Sequence, residues 1–312
     1  MKKILIIALS LIFVFSLVAC DNDVVKDDRP IPSGPVPGWE DPSTVYCPSV
    51  GYTYDYENLD YDLVWSDEFD GDSLDETYWT YKVNSGNSND ELQYYTNRNT
   101  TVQDGILSIN ALLEYDSGYS YTSARIYTRD KVDWTYGIFE VRAKLPSGVG
   151  TWPAIWMMPT DYRYGGWPDS GEIDIMEHVG YQENVVHGTI HTEAYNHMIG
   201  TQKGSSVDDF DDVTDEFHVY KIEWLPDQLR FYMDDKFYFL YKPSNSMVCP
   251  SNEEWPFDDD FYMILNVAIG GSWGGSQGVD NDIFPVAMEI DYVRVYQSET
   301  ITNIEQDTYS TE

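Results

Sequence analysis

The sequence predicts an all-β fold, a sandwich or a barrel, and three observations carry that expectation. Short apolar–polar alternating segments follow one another, separated by Gly, Pro, Asn and Asp turns, with hardly any helical period. Strand formers abound: 26 Tyr, 12 Phe and 10 Trp accompany many Val, Ile and Thr. No repeat of 20–50 residues interrupts the pattern. At 15% of residues, the aromatics exceed what a core requires, which points to stacking surfaces. A chain of 312 residues holds one β domain of roughly 200–250 residues plus appendages.

The appendages come first. Residues 1–19 combine Lys2 and Lys3 with an apolar run that is short for a membrane span of ~20 residues, so they read as a leader. Leu17-Val18-Ala19-Cys20 resembles a bacterial lipobox. That resemblance implies cleavage before Cys20, a lipid on its sulfur, and an extracytoplasmic domain tethered to a membrane. Residues 20–45 are rich in Asp, Pro and Gly and read as a linker. Residues 45–60 are Tyr-rich, either an early strand or an extended lead-in. Residues 46–297 form the predicted domain, and 298–312 a loose polar tail.

Within the domain, strands are expected at 63–69 and on both sides of Gly105, which marks a tight turn. Further strands are expected at 123–129, 137–145 and 152–158, then in the acid-bearing segment within 171–180, and at 185–191, 217–224, 229–233, 237–241, 261–268 and 288–296. Residues 196–215 read as a polar loop.

Charge limits the partners. Eighteen Lys and Arg face 54 Asp and Glu, a formal net charge of −36. Such a domain repels polyanions, which excludes nucleic acid and disfavours sulfated or uronic polysaccharides. A neutral glycan is the better partner; acidity that serves solubility alone is the plainer reading. Outside the cytoplasm, Cys47 and Cys249 either pair or stay as buried thiols. No CxxC or HExxH metal pattern occurs.

The chemistry concentrates in GEIDIMEHVG, residues 171–180. Glu172, Asp174 and Glu177 fall at i, i+2 and i+5 of an otherwise apolar strand. In a regular strand the third acid points away from the first two. One β-bulge between Asp174 and Glu177 absorbs the odd residue and lines all three up. The glutamate Cα atoms then stand four strand steps apart, roughly 13 Å, a gap their side chains narrow over a curved sheet. Such a row suits glycoside hydrolysis: one carboxylate attacks the anomeric carbon while the other protonates the leaving oxygen. Retention needs carboxyls about 5–5.5 Å apart, inversion about 6.5–9.5 Å. Asp174 between them raises a neighbour's pKa by like charge. The plain alternative is a solvated acidic edge strand.

Ten segments, in order, resemble glycoside hydrolase family 16, in particular its laminarinase-like endo-β-1,3-glucanases. They are WSDEFDG (65–71), NDELQYYT (89–96), VQDGILSI (102–109), YGIFEVRAKLP (136–146), GTWPAIWMMP (150–159), GWPDSGEIDIMEHVG (166–180), HGTIHT (187–192), FHVYKIEW (217–224), WPFDDDFYMILNVAIGGSWGG (255–275) and IDYVRVY (290–296).

The resemblance implies a concanavalin A-like jelly-roll β-sandwich of two antiparallel sheets with a concave substrate cleft. It implies Glu172 as nucleophile, Glu177 as acid/base and Asp174 as assisting carboxylate. It places Trp152, Trp156 and Trp167 in the cleft and His191 near the acid/base; Trp273, in a Gly-rich loop that does not suit a core residue, is expected to roof the cleft. Arg125 and Glu91 are candidates for sugar hydroxyls, with surface ion pairing as their plainer role. His178 stands where an aromatic is expected. A structural calcium on the convex side is implied at Glu68, the Gly105 carbonyl and Asp291; the chemistry itself needs no cofactor.

The expected activity is retaining, endo-acting cleavage of laminarin-type β-1,3-glucan by a monomer. The ExDxE spacing of lichenase-like enzymes is absent. A glucan-recognition protein without catalysis, or an enzyme for mixed-linkage glucan, agar or carrageenan, are the competing readings.

Overall fold

The computed structural model describes residues 58–84, 88–243 and 251–302. The leader, Cys20, the linker, Cys47, Cys249 and the tail beyond residue 302 lie outside the described residues.

Seventeen strands make up the described fold. In chain order the first eight are β1 (Asp62–Asp67), β2 (Thr80–Tyr81), β3 (Gln93–Tyr95), β4 (Thr100–Gln103), β5 (Ile106–Ala111), β6 (Tyr121–Ser123), β7 (Arg125–Tyr127) and β8 (Gly137–Lys144). Then follow β9 (Thr151–Pro159), β10 (Glu172–His178), β11 (Val186–His191), β12 (Lys203–Val207) and β13 (His218–Leu225). The last are β14 (Gln228–Met233), β15 (Lys236–Tyr241), β16 (Phe261–Ile269) and β17 (Val286–Gln297).

Two antiparallel sheets pack face to face as a jelly roll. One runs β15-β14-β13-β8-β17-β5-β4, with β1 also paired to β17; the other runs β12-β11-β10-β9-β16-β7-β2. Period-two alternation decides which residues go between them. In β16, Met263, Leu265, Val267 and Ile269 join the main core, while Tyr262 and Ile264 pack in a second cluster with Met158. Both faces of β16 are therefore buried, as suits the middle of a sheet. In β9, Ile155 and Met157 enter the core, and Trp152, Ala154 and Trp156 face the opposite way into a cleft.

Most expected strands are present. Asp104 and Gly105 both adopt positive φ, 55° and 77°, as a two-residue hairpin turn between β4 and β5 requires. Three expectations need correction. Residues 123–129 are not one strand: β6 pairs with β3 and β7 with β16, so the chain changes partner at Ala124. The polar stretch 196–215 contains β12, whose hydrogen bonds to β11 override its weak strand propensity. The tail is not loose from its start: Ile301 is buried in the core, and its N–H bonds to Ser298 O at 3.1 Å.

The calcium positions call for a test. Glu68 receives a two-pronged contact from Arg294, 2.9 and 2.8 Å, and Asp291 is paired with Arg142. With both carboxylates already carrying a guanidinium, the set does not fit a cation as it stands. Gly105 serves the hairpin.

Candidate active site

The cleft lies on the outer face of the sheet centred on β9, β10 and β16. The register of β10 shifts between Asp174 and Glu177 against β11, and between Asp174 and Met176 against β9. This is the expected bulge. Its signature in the packing is that Ile175 and Met176, consecutive residues, both enter the core. Glu172, Asp174 and Glu177 consequently line one pocket together.

Two indoles hold the glutamates. Trp167 Nε1 donates to Glu172 Oε2 at 2.7 Å, and Trp152 Nε1 donates to Glu177 Oε1 at 3.0 Å. Trp156, between them on β9, donates instead to Asn266 Oδ1 at 2.8 Å. Arg125 lies over the Trp156 ring, 4.6 Å from its centroid. Glu91 accepts from Gln93 Nε2 at 2.7 Å and lines the same pocket. Trp273 does not line that pocket; it packs edge-on against Trp152 at 5.6 Å and against His187 at 5.0 Å, on the rim.

Burial dominates the electrostatics. It raises Glu172, with the Asp174 charge adding, to about 8, and it raises Glu177 to about 7. Asp174 is pushed well above the carboxylate range by burial and by the Glu177 charge. Glu172 and Asp174 are hydrogen-bonded to each other. The Trp167 N–H, accepted by Glu172, pulls that carboxyl back toward its anion against burial and the Asp174 charge; Asp174 Oδ2 is buried without a hydrogen bond.

His191 pairs across the strands with Glu172, and its Nε2 stands 3.4 Å from Asp174 Oδ2 and 4.0 Å from Glu172 Oε1. The resemblance placed it by the acid/base, and it does act electrostatically on Glu177 while standing against the other two acids. Glu172, Asp174 and His191 offer atoms within 4.8 Å of one another.

His178 is no cleft residue. It is fully buried, bonds through Nε2 to Glu183 O at 2.8 Å, and is driven down to about 4 by burial, so it is a neutral packing group. Trp167 is also less open than expected, since it packs against the Met158, Tyr262 and Ile264 cluster. Sequence reading missed Asn266, Asn89 and His197. Asn266 and Asn89 line the pocket. Alternation along β16 from Ala268 would have found Asn266. Asn89 carries positive φ, 58°, in a short turn that no periodicity marks.

A β-sandwich that buries three carboxyls in a row on its open face, and ties two of them to indoles, belongs with the enzymes that cleave glycosidic bonds. The chain belongs to glycosyl hydrolases family 16, whose model matches residues 74–294. It is 51% identical over 260 residues to the beta-glucanase of Rhodothermus marinus, covering 80% of this chain and 90% of that one. The X-ray structure of the laminarinase from Rhodothermus marinus superimposes with a TM-score of 0.74 at 51% identity, covering 77% of this chain and 98% of that one. SCLam, a non-specific endo-beta-1,3(4)-glucanase of the same family, superimposes with a TM-score of 0.71 at 45% identity, covering 77% and 92%.

Proposed function

We propose that this glycoside hydrolase cuts β-1,3-glucan internally, with retention, using Glu172 as nucleophile and Glu177 as acid/base. The observation that carries the reading is the β10 bulge, which puts both glutamates on the cleft face with an indole N–H on each. Glu172 forms a bond to the anomeric carbon as the bond to the leaving oxygen breaks, and that oxygen takes the proton of Glu177. Water then attacks the same carbon, gives its proton to Glu177, and frees Glu172. Asp174, hydrogen-bonded to Glu172, is the assisting carboxyl.

The kinship to a laminarinase supports β-1,3-glucan as substrate. The non-specific SCLam supports a second reading, tolerance of mixed β-1,3/1,4 linkages. A product profile on laminarin, curdlan, lichenan and agarose separates them. Release of oligosaccharides from laminarin and curdlan is expected, with the first-formed anomer β by NMR. Release from agarose alone would overturn the reading.

Anchoring belongs to the same proposal. The lipobox-like segment ending at Cys20 supports a lipid tether outside the cytoplasm. Cys20→Ala should move the protein from the membrane to the soluble fraction; unchanged membrane association would refute the tether.

A further inference from the structure

Loop 192–202 joins β11 to β12 and does one thing that the chemistry above leaves unused: it sets an imidazole against the indole that holds Glu172. The His197 ring lies 4.9 Å from the Trp167 ring centroid at an interplanar angle of 38°. The same ring meets His191 edge-on, 5.1 Å away at 89°. Trp167 and His191 are themselves 5.9 Å apart. Three rings thus form one cluster that reaches the acids: Trp167, whose ring also packs against the Met158, Tyr262 and Ile264 cluster, bonds Glu172, and His191 stands against Asp174.

The loop is built to hold that ring. Asn196 is buried and spends its amide on Thr192 O and Glu193 O, both at 3.1 Å, while its Oδ1 accepts from Met198 N at 3.1 Å. Thr201 closes the turn: Asn196 N donates to its Oγ1 at 3.2 Å, and that hydroxyl donates to Ala194 O at 3.0 Å. Gly200 completes it at φ 68°, a left-handed position that suits glycine. The tip is not held by apolar burial, since Met198 and Ile199 are exposed. Hydrogen bonds fix the loop, and within the 3-10 turn His197–Ile199 the exposed His197 lays its ring against the cluster.

We infer that His197 is a positioning residue of the reaction: it clamps the Trp167 indole in the orientation that keeps its N–H on Glu172. The inference rests on the reading of Glu172 as nucleophile. Its physical content is a hydrogen bond that favours the glutamate anion and depends on ring orientation. A freed indole loses that bond, and Glu172 then binds its proton more tightly. The other groups that set the charge on Glu172 stay in place: Asp174 and Glu177 on its own strand, His191 on β11, Arg125 on β7, Tyr162 in the β9–β10 connection, and Glu91 before β3. Burial and the neighbouring His191 hold the His197 imidazole below its usual range, so it packs as a neutral ring.

The test compares His197→Ala and His197→Phe with the parent on laminarin, measuring kcat and KM across pH. His197→Ala should lose about 10- to 100-fold in kcat/KM, the scale for a misplaced catalytic group. Its acid limb should move to higher pH, because activity needs the Glu172 anion and that anion now forms later. His197→Phe keeps a flat ring without an ionisable group and should restore both the rate and the limb. The inference fails if His197→Ala gives the parent's profile. It also fails if His197→Ala loses rate with its limbs unmoved, or if His197→Phe is as impaired as His197→Ala, which would make the imidazole a direct substrate contact. Glu172→Gln in the same assay tests the underlying reading separately, since turnover by that variant would remove the nucleophile and not the clamp.

Discussion

Glu172→Gln will abolish turnover of β-1,3-glucan, by at least about 10⁴-fold in kcat, and leave glucan binding intact. An amide oxygen of the same size cannot form the glycosyl ester, so the loss falls on the chemical step, as when a nucleophile is removed from a catalytic unit. The surroundings of the side chain tolerate the change: the Trp167 N–H still finds an oxygen at the Glu172 Oε2 position. Stability supplies an independent readout. Burial raises the folded-state pKa of Glu172 to about 8, above the value in an unfolded chain. A carboxyl raised on folding contributes full stability below its unfolded pKa and loses it as pH rises through the folded pKa. The parent should therefore lose Tm between about pH 5 and pH 8, and Glu172→Gln should lose less. Calorimetry across pH measures this alongside laminarin assays and glucan pull-down. Near-parent turnover by the variant would end the assignment of Glu172.

Glu177→Ala should lose about 10²–10⁴-fold on laminarin, the usual worth of a positioned proton donor. On an aryl glucoside of an acidic phenol the loss should be far smaller, because that leaving group needs no proton. Deglycosylation then becomes the slow step, and added azide, which attacks without a general base, should restore rate and yield a β-glycosyl azide. An α-azide would mean inversion and would contradict the double displacement. The parent's pH profile provides the partner measurement. Burial holds Glu177 protonated up to about 7, against the pull of the Trp152 N–H and His191. Activity should fall as pH rises through that value, and this limb should vanish in Glu177→Ala. If azide produces no glycosyl azide and the aryl substrate is cut no better than laminarin, Glu177 is not the acid.

Much of the site was legible before any coordinates. The i, i+2, i+5 spacing of Glu172, Asp174 and Glu177 demanded a bulge, because strand parity is strict, and the bulge lies where it was expected. The spacing of Trp152 and Trp156 placed both on the cleft face for the same reason. What parity cannot convey is which partner a side chain meets. It could not show that Trp152 and Trp167 are hydrogen-bond donors to the glutamates, that Trp156 serves Asn266, or that His178 packs as a buried neutral group. His197 lay beyond reach for a further reason: its loop has no period, and the indole it packs against is thirty positions away in sequence.

The sequence by itself determined an all-β fold and a single face for the three acids, since both follow from period-two alternation and local spacing; the sandwich and the class of chemistry came from its resemblance to glycoside hydrolase family 16. Only the tertiary structure decided the charge state of those acids. Burial, the Glu172–Asp174 hydrogen bond and the indole N–H groups come from different strands and loops, and a pKa reflects the whole of that surrounding. The same cause settled the opposite face, where Arg142 and Arg294, distant in sequence, reach the carboxylates of Asp291 and Glu68.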